Sequence, residues 1–181
     1  VQQELERAFL ETIGYHCHVI AAGRTDAGVH ARGMVVHTRV RDDWSVVEQK
    51  IGLALNSRLP KDIRVKGAQL RNDDIFHARF DAIAREYSYV VQRIEDPLER
   101  LYAWQTRYVF DEEVLRKSAE IFLGVHNFTT FSKNNEDVQS YICNVTRCEW
   151  EKRDDGSMCL RIRANRFVYG MVRSLVGAMV D

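Results

Sequence analysis

No charge of either sign dominates this chain: 26 lysines and arginines balance 26 aspartates and glutamates, and the formal net charge is zero. Proteins that grip nucleic acid with their whole surface are usually basic, so any polyanion bound here must be held by a local patch. No apolar run approaches the ~20 residues that span a bilayer, and the first residues read as an amphipathic helix instead of a signal sequence. The four cysteines, Cys17, Cys143, Cys148 and Cys159, form no Cys-x-x-Cys pair, so reduced, mostly buried thiols in a cytoplasmic protein are the expectation. His16, Cys17 and His18 crowd one stretch, but strand alternation points Cys17 away from the two histidines, and the ligand set for zinc stays incomplete. There is no glycine-rich phosphate loop and no dinucleotide fingerprint, so no cofactor and no metal are implied.

What is present is a chain of 181 residues, 45% hydrophobic, enough for one sizeable core or two small lobes sharing a sheet. Val1, Leu5, Ala8, Phe9 and Ile13 recur at helical spacing. Cys17–Ala22 and Met34–Thr38 read as strands. Trp44–Leu55 reads as a helix, with Ser45 as a cap and Val46, Val47, Ile51, Leu53 and Leu55 apolar. Asp62–Leu70 alternates as a strand, and Ala82–Ile94 is a longer one, stopped by Asp96-Pro97. Asp111-Glu112-Glu113 opens a helix that closes near Gly124, with acids at its positive end. Asn144–Lys152 and Ser157–Arg163 form a hairpin around Asp154-Asp155-Gly156, and a last helix covers about residues 167–180. Without a regular βαβ repeat, these elements predict an α+β fold with a largely antiparallel sheet.

The arginines are not spread evenly. Between Ala21 and Arg41 stand four (Arg24, Arg32, Arg39 and Arg41) against the single acid Asp26. Four more (Arg161, Arg163, Arg166 and Arg173) follow one another without an acid between Arg161 and Arg173, whereas acids gather between Glu95 and Glu120. Clustered arginine can bind phosphates on a neutral protein. An ordinary mixed surface is the other reading of the same distribution.

The most informative stretch is Gly23-Arg24-Thr25-Asp26-Ala27-Gly28-Val29-His30-Ala31. It is too rich in glycine and small residues for a helix face, and it lies between two strands. A carboxylate on such a braced loop is a common placement for a catalytic acid, base or nucleophile, while a plain turn with a solvated aspartate is the simpler alternative.

These nine residues resemble the catalytic loop of the TruA-type tRNA pseudouridine synthases. Two further segments strengthen the resemblance and stand in the family's order. Arg85-Glu86-Tyr87-Ser88-Tyr89 is similar to the family's Arg-x-Tyr-x-Tyr strand, and Phe167-Val168-Tyr169-Gly170-Met171-Val172-Arg173 to its closing arginine helix. The resemblance implies that Asp26 is the catalytic carboxylate and Arg24 a substrate-handling neighbour. It implies further that Tyr87 packs on the target base and Arg173 pairs with Asp26. Phe76-His77-Ala78-Arg79-Phe80 also resembles a family element, which makes His77 and Arg79 candidates for RNA contact. His77 could equally be a hydrogen-bonded structural histidine. Tyr89 reads as cross-strand packing. Asn165 reads either as a cap of the last helix or as a substrate contact, and the loop Phe128–Lys133 matches the family without an assignable task.

The resemblance also implies a pseudouridine synthase fold of two similar lobes sharing one sheet, with the active site in a cleft. The expected activity is isomerisation of uridine to pseudouridine in the anticodon stem-loop of tRNA, by a homodimer, without cofactor. The chain is expected to be a single catalytic domain, residues 1–181, trimmed at both ends. The opening strand with Tyr-Asp-Gly-Thr and Gly-Trp-Gln, and the closing Ala-Pro and Gly-Leu elements, are absent from it. Met34 replaces a usual glutamine, and Asp81 replaces a small residue beside Arg79. One carboxylate suffices for this chemistry because the detached base never leaves the pocket, whereas glycoside hydrolysis generally uses two. A non-catalytic RNA-binding or chaperone protein on the same fold, and a hydrolase using Asp26, are the alternatives.

Overall fold

A computed structural model describes residues 1–41, 48–71, 75–133 and 139–181. The chain divides into two compact units, Val1–Ala82 and Ile83–Asp181.

In the first unit, helix α1 (Gln2–Ile13) turns Leu5, Ala8 and Phe9 inward and ends at Gly14, whose φ of 79° is the left-handed value that glycine adopts without strain. Helix α2 (Glu48–Asn56) faces the same core with Ile51 and Leu55, and Leu59, Cys17 and Val19 complete it. The predicted start of this helix, from Trp44 through the Ser45 cap to Val47, lies outside the described residues. Leu53, expected on the apolar face, is exposed instead. The two predicted strands shrink to a short antiparallel pair, β1 (Ile20–Ala21) and β2 (Val36–His37).

The predicted strand at Asp62–Leu70 does not form. Its backbone is satisfied by side chains instead of a ladder. The Asn56 amide accepts from the Val65 N–H and donates to the Val65 carbonyl, both at 2.8 Å, and Glu48 accepts from the Leu70 N–H. Alternation in sequence was therefore a packing pattern of Ile63 and Val65 on the helices, without a partner strand.

The second unit is a mixed five-stranded sheet with helices. Its strands are β3 (Arg85–Gln92), β4 (Ala103–Gln105), β5 (Gly124–Asn127), β6 (Ile142–Lys152) and β7 (Met158–Ala164), in the order β4-β3-β7-β6-β5. Among the described residues only β3 and β4 run parallel. The α+β architecture and the largely antiparallel sheet are as expected. Among the described residues, β1 and β2 of the first unit pair with each other, apart from the five-stranded sheet of the second.

Helix α3 (Glu112–Glu120) starts at Asp111, whose carboxylate accepts from the N–H groups of Glu113 and Val114 at 2.7 and 3.1 Å. It ends before Gly124, which belongs to β5 instead. The hairpin at Asp154–Gly156 forms as predicted: Gly156 takes φ 80°, and Asp155 accepts from the backbone and hydroxyl of Ser157, which holds its carboxyl below the usual range. The last helix, α4, begins only at Met171 and runs to Val180, entered through Gly170 at φ 79°. Leu115 and Ala119 of α3 and Leu175, Val176 and Met179 of α4 cover one face of the sheet, where Leu160, Ile162 and Trp150 are buried. On the other face Arg147 bridges Glu86, Glu149 and Glu151, and Arg161 reaches Glu151. All four cysteines are buried.

Candidate active site

Asp26 sits at the head of a tight turn. Its carbonyl accepts from the Val29 N–H at 3.1 Å, and Gly28, the third residue of that turn, has φ 80°. Positive φ at the third position is what a type II turn requires, so the glycine two residues after the aspartate is a backbone necessity. The loop leaves β1 and returns to β2 across a further bond from the Ala22 N–H to the Val35 carbonyl at 2.9 Å, and Lys66 donates to the Arg32 carbonyl from outside. Asp26 is half-buried, and Arg24 is exposed beside it.

The strand that receives this loop also holds the turn with the other two candidates. His37 of β2 accepts the Ala78 N–H on Nδ1 at 3.1 Å. Burial, with His77 and Arg39 nearby, pushes the His37 imidazole below its ordinary pKa and favours the neutral ring that such an acceptor must be. His77 is the anchor of the turn itself. Its Nδ1 accepts from the N–H groups of Arg79 and Phe80 at 3.2 and 3.3 Å, and its own N–H donates to Asp81 at 2.7 Å. Asp81, unusual by comparison with the family's small residue, thus closes the turn that displays Arg79. The structure brings Asp26, Arg24, His77 and Arg79 into one unit, on a loop and a turn that both attach to β2.

The second unit carries Tyr87 and Arg173. Tyr87 lies opposite Ile162 on β7 and is half-buried on the helix-covered face, with Tyr89 two residues on opposite Leu160. The Tyr87 ring meets Phe167 edge on. Burial raises the Tyr89 phenol pKa, and Arg173 is close enough to oppose that rise. Tyr87, Tyr89, Phe167 and Arg173 are therefore neighbours at the start of α4.

Two expectations change here. Asn165 does not cap α4, because the helix starts six residues later. Its side-chain oxygen accepts instead from the N–H groups of Asn144 and Arg166 at 2.8 and 2.9 Å, tying the ends of β6 and β7. The Phe128–Lys133 loop gains a structural task. Phe128 is 1% exposed in the core, and the Lys133 N–H donates to the Tyr169 carbonyl at 3.0 Å, which fixes the segment before Arg173. His37 was missed by sequence reasoning; it has no motif of its own, and only its place beside His77 reveals it.

Residues 118–181 match the family described as tRNA pseudouridine synthase. Whole-length comparison agrees. The chain is 37% identical over 185 residues to the tRNA pseudouridine synthase A of Bacillus subtilis (strain 168), an alignment spanning 100% of this chain and 73% of that protein. It is 36% identical to the proteins of the same name from Chlamydia pneumoniae and Bacteroides fragilis, across 100% of this chain and 68% and 71% of theirs. The chain belongs to the tRNA pseudouridine synthase A family.

Proposed function

We propose that Asp26 is the single carboxylate with which this chain isomerises uridine to pseudouridine in tRNA, and that the target uridines lie in the anticodon stem-loop. The reaction breaks the N1–C1′ bond, turns the uracil, joins C5 to C1′, releases the C5 proton and protonates N1. Only one group need attack or abstract, and no water enters the product. The observation that carries the reading is the likeness to tRNA pseudouridine synthases A along the whole chain, with Asp26 standing at the head of its glycine turn.

An ionised carboxylate in a dry pocket takes up a proton unless a cation compensates it. In this reading Arg173 is that cation, and a guanidinium supplies two parallel hydrogen bonds as well as charge. Tyr87 packs on the uracil. Arg24 enters the space vacated by a flipped nucleotide, offsetting part of the few kcal/mol of unstacking. His77 and Arg79 belong to the RNA-contacting surface, the two units work as one catalytic domain, and the enzyme acts as a cytoplasmic homodimer.

Release of tritium from C5-labelled uridine in a tRNA transcript tests this. Release that disappears in Asp26→Ala, without free uracil, is the expected result. Free uracil would indicate hydrolysis, and tRNA binding without release would indicate a non-catalytic RNA-binding protein.

A further inference from the structure

The turn Phe76–Asp81 ends in a feature that the catalytic reading leaves unused. Phe80 is 75% exposed, although its ring stacks on His77 with centroids 4.3 Å apart and planes at 29°. The stack continues inward, with His77 packing on His37 at 4.7 Å and His37 meeting the edge of Phe76 at 6.1 Å. The Arg79 guanidinium lies over the Phe80 ring at 5.9 Å. An apolar ring in water is ordinarily free to fold away. Here it is held out, because the His77 Nδ1 accepts from the Phe80 and Arg79 N–H groups and Asp81 fixes the His77 backbone.

We propose that Phe80 is a stacking platform for one unpaired nucleobase of the bound tRNA, with Arg79 beside it for the adjoining phosphate and His77 as the residue that positions the ring. This rests on the tRNA reading above. With His77 stacked on it and the Arg79 guanidinium 5.9 Å away, the Phe80 ring is still 75% exposed. A single ring face is far too small for a protein interface but has the dimensions of one base. Stacking on an aromatic ring is tolerant of base identity, and a neighbouring guanidinium adds phosphate attraction. A base within a continuous stem has both faces covered already, so the occupant is a loop or flipped-out nucleotide. Within that RNA-contacting surface His77 serves as the support of the Phe80 ring, since its Nδ1 is already engaged by the turn.

Binding of a tRNA anticodon-arm hairpin and of a loop-free RNA duplex should be compared for the native chain and the variants Phe80→Ala, Phe80→Leu and Phe80→Tyr. Loss of one base stack corresponds to roughly a five- to hundredfold weakening. Phe80→Ala and Phe80→Leu should both show it on the hairpin, Phe80→Tyr should not, and the duplex should bind all four alike. His77→Ala should weaken hairpin binding in the native background and add nothing to Phe80→Ala. Melting temperatures check that each variant folds; Phe80→Tyr keeps the comparison usable if truncation does not. Hairpin binding of Phe80→Ala within about twofold of native overturns the proposal. So does full rescue by leucine, which would mean packing instead of stacking, or an equal loss on the duplex. Tritium release by the native chain is read in parallel. Its absence with RNA binding intact counts against the catalytic reading, and the platform is still decided by the binding series. A native chain that binds neither RNA overturns both.

Discussion

The ring of Tyr87 meets that of Phe167 edge to face, with centroids 4.9 Å apart and planes at 87°. This contact joins the middle of β3 to the segment that leads into α4, so the proposed base-packing tyrosine and the proposed arginine partner of Asp26 are positioned by one aromatic pair. Such a pair contributes about 0.5–1.5 kcal/mol beyond the area it buries. Phe167→Leu should lose about that much stability in a urea titration and lower turnover more than it weakens tRNA binding. Tyr87→Phe keeps the ring and should fold within about 0.5 kcal/mol of native. If its tritium release nevertheless falls, the hydroxyl takes part in proton transfer; unchanged release confines Tyr87 to packing.

Arg173→Leu should abolish measurable tritium release. The informative variant is Arg173→Lys, which keeps the charge but loses the fork. If the proposed pairing needs the fork as well as the charge, its tritium release should fall well below native while its urea midpoint holds. Near-normal turnover in Arg173→Leu would refute the proposed Asp26–Arg173 pairing.

At Asp111 the expectation concerns folding alone. The carboxylate satisfies two N–H groups at the start of α3, so Asp111→Ala should cost about 0.5–2 kcal/mol, with most of it restored by Asp111→Asn. Urea midpoints decide this, and tRNA affinity should not follow them.

His37 gives a pH dependence with a definite sign. Its folded pKa lies below its ordinary value of 6.5, chiefly through burial, with His77 and Arg39 acting the same way and Asp81 opposing. The unfolded chain therefore binds more protons than the folded one in the window just below 6.5. Stability from this group is complete above that pH and is lost as pH falls through the window toward the depressed folded value. The fall in urea midpoint between about pH 8 and about pH 5 should be shallower in His37→Gln, which removes the titration. An identical slope would mean that other groups govern acid sensitivity.

Local chemistry made much of this architecture readable. The apolar spacing of Leu5, Ala8 and Phe9, the acid cap at Asp111 and the Asp-Gly turn at Asp155 are short-range devices, and each produced the element it implies. The failures share a different cause. β4 pairs in parallel with β3 over three residues, and β5 is only four residues long; neither has room to show a period. The Asp62–Leu70 segment alternates like a strand but has Asn56 for a partner, a choice made by a side chain outside the window. Asn165 was similarly claimed by Asn144, 21 residues away in sequence. For the candidate site, the motifs nominated Asp26, Tyr87 and Arg173, whereas His37, which packs on His77 through space, leaves no local pattern. Phe80 stood in view within its motif, yet its outward presentation depends on His77 and Asp81 hydrogen bonds that sequence does not display.

The buried cysteines give each half of this molecule its own clock. Cys17 is enclosed by the first unit, and Cys143 and Cys148 by the second; burial raises all three thiol pKa values, that of Cys148 to about 11. Because only the thiolate reacts readily, alkylation at neutral pH is slow until a unit opens. Mass-resolved labelling of Cys17 against Cys143 and Cys148 would therefore time the two openings separately within one chain. It would register whether RNA, once bound, holds the halves closed together or slows one and leaves the other to breathe.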